Sequence, residues 1–210
     1  MRNRNNARVP PVPIRRLSLI AVAAMLAACQ PLVEMAPAEA PEIVTRWDHR
    51  AESDQWNAAA MRALQTDGAA MLDLNPRDAA EFCPDYEMAD AEGRAAFWVA
   101  FMSGLARYES GHRPEAAGAG GRYQGLLQIS PATARFHGCE LGSSRGLYDG
   151  ATNLACAVRI ATRAVLRDGV VASGRGGMAA DWPPLRNPVK RTEIAAFTRA
   201  VPACNGNGNG

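Results

Sequence analysis

One acid stands out as able to do chemistry. The segment Leu105 to Ile129 reads Leu-Ala-Arg-Tyr-Glu-Ser-Gly-His-Arg-Pro, crosses a loop rich in Gly and Ala, and resumes as Gly-Arg-Tyr-Gln-Gly-Leu-Leu-Gln-Ile. Phe97, Phe101, Leu105 and Tyr108 recur at intervals of three and four, with Trp98 and Met102 beside them. That spacing predicts a helix with one buried stripe, and Glu109 is the next position along it. A carboxylate on the apolar face is costly to ionise, so its pKa is expected to rise to about 6. A carboxyl group still protonated near neutral pH can give its proton to a leaving oxygen. The plainer alternative is a helix-end Glu that reaches into water.

The elements that must position this acid read as mainly α. Ser53 to Gln65 is expected to be helical, with Trp56, Ala60 and Leu64 on one face and Gly68 beyond its end. Asn75-Pro76 is expected to open a second helix, the Asn as N-cap and the Pro at its first position, which stops at Cys83-Pro84. The Glu109 helix starts near Asp90. Ser130-Pro131 caps a short helix ending at Gly138, and Asp149 caps a long one reaching Asp168. Leu154, Val158, Ala161 and Val165 form the inner face of that long helix and Gly169 its stop; Arg159, Arg163 and Arg167 read as a solvated outer face. Residues 170–188 have no period and are expected to be a loop. A last helix from about Lys190 to Val201 buries Ile194, Phe197 and Val201.

With 210 residues, 48% of them hydrophobic, the chain suits one domain with extensions. Arg2, Arg4, Arg8, Arg15 and Arg16 precede Cys29 and no acid does; removing residues 1–28 leaves 18 basic against 21 acidic residues, a charge of −3 in place of +2. A nucleic-acid partner then has no electrostatic support. Arg15-Arg16 stand before an apolar run, Leu17 to Ala28, too short to span a bilayer, which reads as an export signal. Its end, Leu26-Ala27-Ala28-Cys29, resembles the lipobox of bacterial lipoproteins. The resemblance implies cleavage before Cys29 and lipidation of that residue, with ordinary signal cleavage as the alternative. General export fits the flanks of the arginine pair better than twin-arginine export. Gln30 in place of Asp implies the outer membrane, on its periplasmic side.

The expected organisation is a signal peptide at 1–28, a lipid-anchored Pro/Ala-rich tether at 29–50, a domain at 51–204 and a disordered Asn-Gly tail at 205–210. In an oxidising compartment Cys83, Cys139, Cys156 and Cys204 read as two disulfides. Three pairings are open. Cys139–Cys156 with Cys83–Cys204 is preferred, because the first closes a short loop, worth about 3 kcal/mol, and the second ties down the C-terminus. Zinc is disfavoured: there is no Cys-x-x-Cys, and His49, His112 and His137 are scattered. No metal or cofactor is expected. Gly142-Ser143-Ser144-Arg145-Gly146 fits a serine-hydrolase elbow, but every histidine lies upstream of it. Gly118-Ala119-Gly120-Gly121 has no Gly-Lys-Ser/Thr after it and cradles no phosphate.

Three segments in order, Glu109-Ser110-Gly111, Gly125-Leu126-Leu127-Gln128-Ile129 and Ala151-Thr152-Asn153-Leu154, resemble the motifs of lytic transglycosylases with a soluble-lytic-transglycosylase domain. The resemblance spans residues 90–168. It implies a lysozyme-like single domain with a small loop or hairpin region near the cleft. It also implies action on peptidoglycan glycan strands, with Glu109 as sole acid and base. Ser110, Tyr123, Gly125, Leu126, Gln128 and Asn153 are the implied substrate-binding residues, Ser110 and Gln128 lining the sugar cleft and Asn153 helping to build its wall. In that chemistry Glu109 protonates the oxygen between N-acetylmuramic acid and N-acetylglucosamine, the sugar's acetamido group stabilises the cationic carbon, and the O6 hydroxyl closes a 1,6-anhydro ring. Neither Glu115, Glu140 nor Asp149 has a claim to be a second catalyst. Ala157 stands where the family usually has Gly, and Ile160 where an aromatic is common. The fourth motif, which sets a Tyr against the acid, is not recognisable; Tyr123, Tyr148 and Trp182 are candidates to fill that space. A muramidase on the same fold and a non-catalytic peptidoglycan-binding lipoprotein are the rival readings.

Overall fold

A single helix with no wet face organises the rest. The computed structural model describes residues 42–206. The expected signal sequence, the expected lipid anchor Cys29, most of the expected tether and the last four residues lie outside the described residues. The central helix is α4 (Ala91–Glu109), packed against α1 (Ser53–Gln65), α2 (Ala69–Asp73) and α7 (Pro188–Thr198), with Phe82 of α3 (Ala79–Phe82) edge-on to Phe101, while α6 (Gly150–Asp168) packs chiefly against α1. A short hairpin, β1 (Ala117–Gly118) and β2 (Tyr123–Gln124), and the small helix α5 (Pro131–Phe136) lie between α4 and α6 in the chain. The architecture is mainly α with one small antiparallel hairpin.

Helix α4 starts where the Asp90 carboxylate accepts a hydrogen bond from the Gly93 N–H at 2.8 Å. It is buried on every side from Ala95 to Ala106, not along one stripe. Large residues face one way (Phe97, Phe101, Leu105), and the small ones between them let neighbours close in. A Cβ added at Gly104 would lie 3.4 Å from Ile194 of α7. A helix apolar all round belongs in a core, and here the small residues hid that from a stripe count. Trp98 donates its indole N–H to the Tyr86 hydroxyl at 3.0 Å, which satisfies two polar groups inside an aromatic cluster with Phe97 and Phe101.

Helix α6 begins at Asp149, which accepts from the Thr152 N–H at 2.9 Å, and ends at Gly169 in the left-handed conformation. Its first residue lies hard against α1: a Cβ on Gly150 would sit 2.2 Å from the Trp56 indole nitrogen. The described residues contain no helix long and apolar enough to cross a membrane. Cys83 is bonded to Cys204, and Cys139 to Cys156.

Several expectations are corrected. The domain begins upstream of residue 51, because Trp47 is fully buried beside Trp56 and donates to Asn57 Oδ1 at 2.8 Å. So large an apolar ring draws the end of the expected tether onto the core. Asn75-Pro76 opens no helix; α3 starts at Ala79. Asp78 does not cap it, because its carboxylate accepts from the backbone N–H groups of Val171 and Ala172. Residues 170–188 are no surface loop. They make two 3₁₀ turns, Gly177–Ala180 and Pro183–Arg186, and bury Val171, Met178, Trp182 and Leu185. Arg159 is not simply solvated either, since it clasps Asp67 at 2.7 and 3.1 Å. The last helix starts two residues early, with Asn187 as its cap and Pro188 at its first position, and Val201 falls beyond its end.

Candidate active site

Glu109 is the last residue of α4, and the chain turns away immediately behind it. Ser110 and Gly111 both donate their N–H groups to the Ala106 carbonyl, and Gly111 is left-handed, so the helix stops there. The Glu109 side chain is largely buried, and its Oε1 has no hydrogen-bond partner among the described residues. Burial raises its pKa to about 7, against a smaller opposing pull from the Lys190 cation. The acid is therefore half protonated near neutrality, somewhat higher than its helical position suggests. Lys190 stands in the first turn of α7 with its ammonium 5.2 Å from the centre of the Tyr108 ring. The Tyr108 hydroxyl in turn donates to the Glu193 carboxylate.

The second wall is built from backbone. Strands β1 and β2 pair Ala117 with Gln124 and Gly118 with Tyr123, and a bridge between Gln124 and Ile129 closes the turn 125–128. Gly125 is left-handed, and a Cβ there would lie 2.1 Å from the Leu147 carbonyl oxygen. Gln128 is also left-handed, an uncommon state for a long side chain. Its side-chain amide stabilises that state by donating to the carbonyls of Gly125 at 2.8 Å and Ala116 at 3.1 Å. Asn153, from α6, ties the same turn to the Leu147 segment with three bonds. Its oxygen accepts from the Leu127 N–H, and its nitrogen donates to the carbonyls of Gln124 and Leu147, each at 2.9 Å. Trp182 donates to the Leu127 carbonyl at 2.9 Å from the other side.

This geometry sorts the residues expected to touch sugar. Asn153 and Leu126 are fully buried and Ser110 is nearly so, its hydroxyl turned to the Ala106 carbonyl. Those three shape the wall and do not offer side chains to a ligand. Gly125 is buried too, kept by the space it lacks. Tyr123, 42% exposed on the hairpin, and the half-buried Gln128 are the expected substrate-binding residues left with open surface. Trp182 is buried, with its indole N–H spent on the Leu127 carbonyl. Lys190 is the charged side chain that acts on the acid, and nothing in the sequence marked it except its position near the start of a helix whose packing against α4 is a tertiary fact. Glu115 and Glu140 are exposed, and Asp149 is engaged as the cap of α6. No cluster of His, Cys, Asp and Glu among the described residues could hold a metal ion. A separate cavity of about 440 Å³ between α1, α6 and the Cys139 loop is lined by Ala151 and Thr152 of the third motif but by none of the residues expected to bind substrate.

No protein-family model and no curated protein matches the chain. Solved structures do. The wild-type form of the protein Bd0314 DslA is 28% identical, with a TM-score of 0.69 over 78% of this chain and 98% of that one. Two single Glu-to-Gln variants of DslA superpose similarly, with TM-scores of 0.71 and 0.68 at 28% and 29% identity. The chain shares the lysozyme-like fold of these structures.

Proposed function

We propose that this protein is a peptidoglycan lytic transglycosylase that cleaves the β-1,4 bond between N-acetylmuramic acid and N-acetylglucosamine and leaves 1,6-anhydro ends. The observation that carries the reading is the isolation of Glu109. Its carboxyl is raised to about 7 by burial, and among the described residues the one charged side chain acting on it is a lysine, not a second carboxylate. Paired-carboxylate glycosidases set two acids within about 5–10 Å of each other, a spacing at which each would perturb the other. A lone acid suits a reaction in which the substrate supplies its own nucleophiles. Glu109 gives its proton to the glycosidic oxygen as the bond to the muramyl C1 breaks, and the acetamido oxygen holds the cationic carbon. The ionised Glu109 then takes the proton of the O6 hydroxyl as O6 bonds to C1. No water is consumed, and the acid ends as it began.

Tyr123 and Gln128 line the strand's path in this scheme, and Asn153, Gly125, Leu126 and Ser110 fix the wall that carries them. The protein is held on the periplasmic face of the envelope, preferentially at the outer membrane, through lipid on Cys29. Replacing Cys29 by Ala is expected to move the exported protein from the membrane to the soluble fraction. The activity test is mass analysis of muropeptides released from purified sacculi by the wild type and by Glu109→Gln. Anhydro products from the wild type alone are the expected result. Hydrated products, heavier by one water, would make the protein a muramidase; binding without release would make it a sugar-binding envelope protein.

A further inference from the structure

Round the end of α4 from Glu109 is a second concavity, of about 510 Å³, lined by Arg46, His49, Arg107, Gly111, His112 and Phe197. Four of those six residues carry basic nitrogen and none is an acid. The His49 and His112 rings lie 5.3 Å apart. His112 is buried, holds a left-handed backbone, and has its Nε2 3.0 Å from the Ser103 carbonyl oxygen. Phe197 makes an apolar wall under the Arg46 guanidinium, 4.8 Å from its ring centre.

The cavity is positive by three separate signs. Burial holds the His112 pKa below the ordinary histidine value, and each charged side chain that acts on it, His49, Arg107 and Arg46, pushes the same way. The Arg46 Nε is buried with no hydrogen-bond partner among the described residues, an orphaned donor that costs free energy until it is met. The acid nearby is Glu193. It lies outside the lining, is shared between Arg46 at 3.5 Å and Arg107 at 3.7 Å, and also accepts from Tyr108. One carboxylate set against two guanidiniums leaves the site short of negative charge.

We propose that this cavity receives a carboxylate of the peptide that hangs from the muramyl sugar, so that the enzyme prefers peptide-bearing strands to bare ones. The inference rests on the peptidoglycan reading above. Gly111 follows Glu109 by two residues, so their Cα atoms lie within about 7.6 Å. A stem peptide, spanning about 3.3–3.6 Å per residue when extended, has the length to pass round the end of the helix into the cavity. A guanidinium fork matches a carboxylate, and the Phe197 wall suits an aliphatic stem behind it better than a compact, fully hydrated phosphate.

Two measurements on the full-length protein test this. In the first, the free stem peptide and inorganic phosphate are titrated separately while the imidazole resonances of His49 and His112 are followed by NMR. The peptide is expected to shift both resonances. Arg107→Gln and His49→Gln, both at exposed positions, are each expected to weaken the peptide about tenfold. No imidazole shift, unchanged peptide affinity in both variants, or phosphate binding as tightly as the peptide would overturn the assignment. In the second, cleavage of peptide-bearing strands is compared with cleavage of strands stripped by an amidase. The wild-type preference is expected near tenfold, falling to about one in Arg107→Gln. Cleavage with no preference would sink this inference alone. Peptide binding with neither strand cleaved would sink the transglycosylase and leave the carboxylate site standing.

Discussion

At the scale of a residue, Glu109 ties catalysis and stability to the same proton, and both decline as pH rises. Its protonated form is the one that gives a proton to the leaving oxygen, so the rate is expected to fall as pH rises through about 7. The same displacement acts on folding. The folded-state pKa lies near 7 and the ordinary value is 4.5, so between those limits the unfolded chain loses a proton that the folded one keeps. Stability is full below the lower limit and declines up to the higher, by up to about 3 kcal/mol. Glu109→Gln cannot ionise and escapes that decline. It is expected to lower turnover by about 10²- to 10⁴-fold and to unfold later than wild type in urea at pH 8, with a smaller difference at pH 4. Matching stability profiles for the two proteins across that range would mean that the carboxyl is not desolvated. Lys190 supplies the companion prediction. Its charge favours the ionised acid, so Lys190→Met should move the alkaline limb of the pH–rate profile to higher pH; an unmoved limb would remove Lys190 from the acid's surroundings.

At the scale of the elements, the position of Glu109 could be read from sequence because it follows from local rules. Asp149 caps its helix as predicted, the Glu109 helix starts at Asp90 as expected, and the three-and-four repeat leads straight to the acid. What escaped were features made by contact between distant segments. The resemblance implies that Asn153 helps build the cleft wall, but not how: it is fully buried and spends its whole amide on the backbone of residues 124, 127 and 147. Trp47 and Lys190 act only through partners that the order of residues does not reveal, and residues 170–188 are packed into the core without any period. The hairpin wall is thus the element with the least local support, and Asn153 is its keystone. Asn153→Ala strands a buried N–H and two carbonyls, which should cost about 2–4 kcal/mol. Thermal unfolding of the variant checks this. A loss under about 0.5 kcal/mol would show that the turn holds itself and that the amide is free to serve a ligand.

At the scale of the whole molecule, the two disulfides differ in what they restrain. Cys139–Cys156 closes a separation of 17 residues, joining the segment after α5 to the first turns of α6. Cys83–Cys204 spans 121 residues and ties the end of α3 to the C-terminal 3₁₀ turn, so almost every element that builds the cleft lies inside its loop. Sequence alone left the pairing open because cysteines far apart in the chain meet only once the helices between them have packed. Chain entropy ranks the two ties: about 3 kcal/mol for the short loop and about 5 kcal/mol for the long one. The double variant Cys83→Ser/Cys204→Ser should therefore unfold at lower denaturant than Cys139→Ser/Cys156→Ser, by about 2 kcal/mol. Each Ser pair also leaves hydroxyls where sulfur had been, and the penalty is larger at Cys83 and Cys204, both fully buried, than at the partly exposed Cys139. That difference acts in the same direction, so the reverse order has no route through burial. If the short-loop variant were the weaker, the unfolded chain would have to retain contacts between its distant ends that make the long tie redundant.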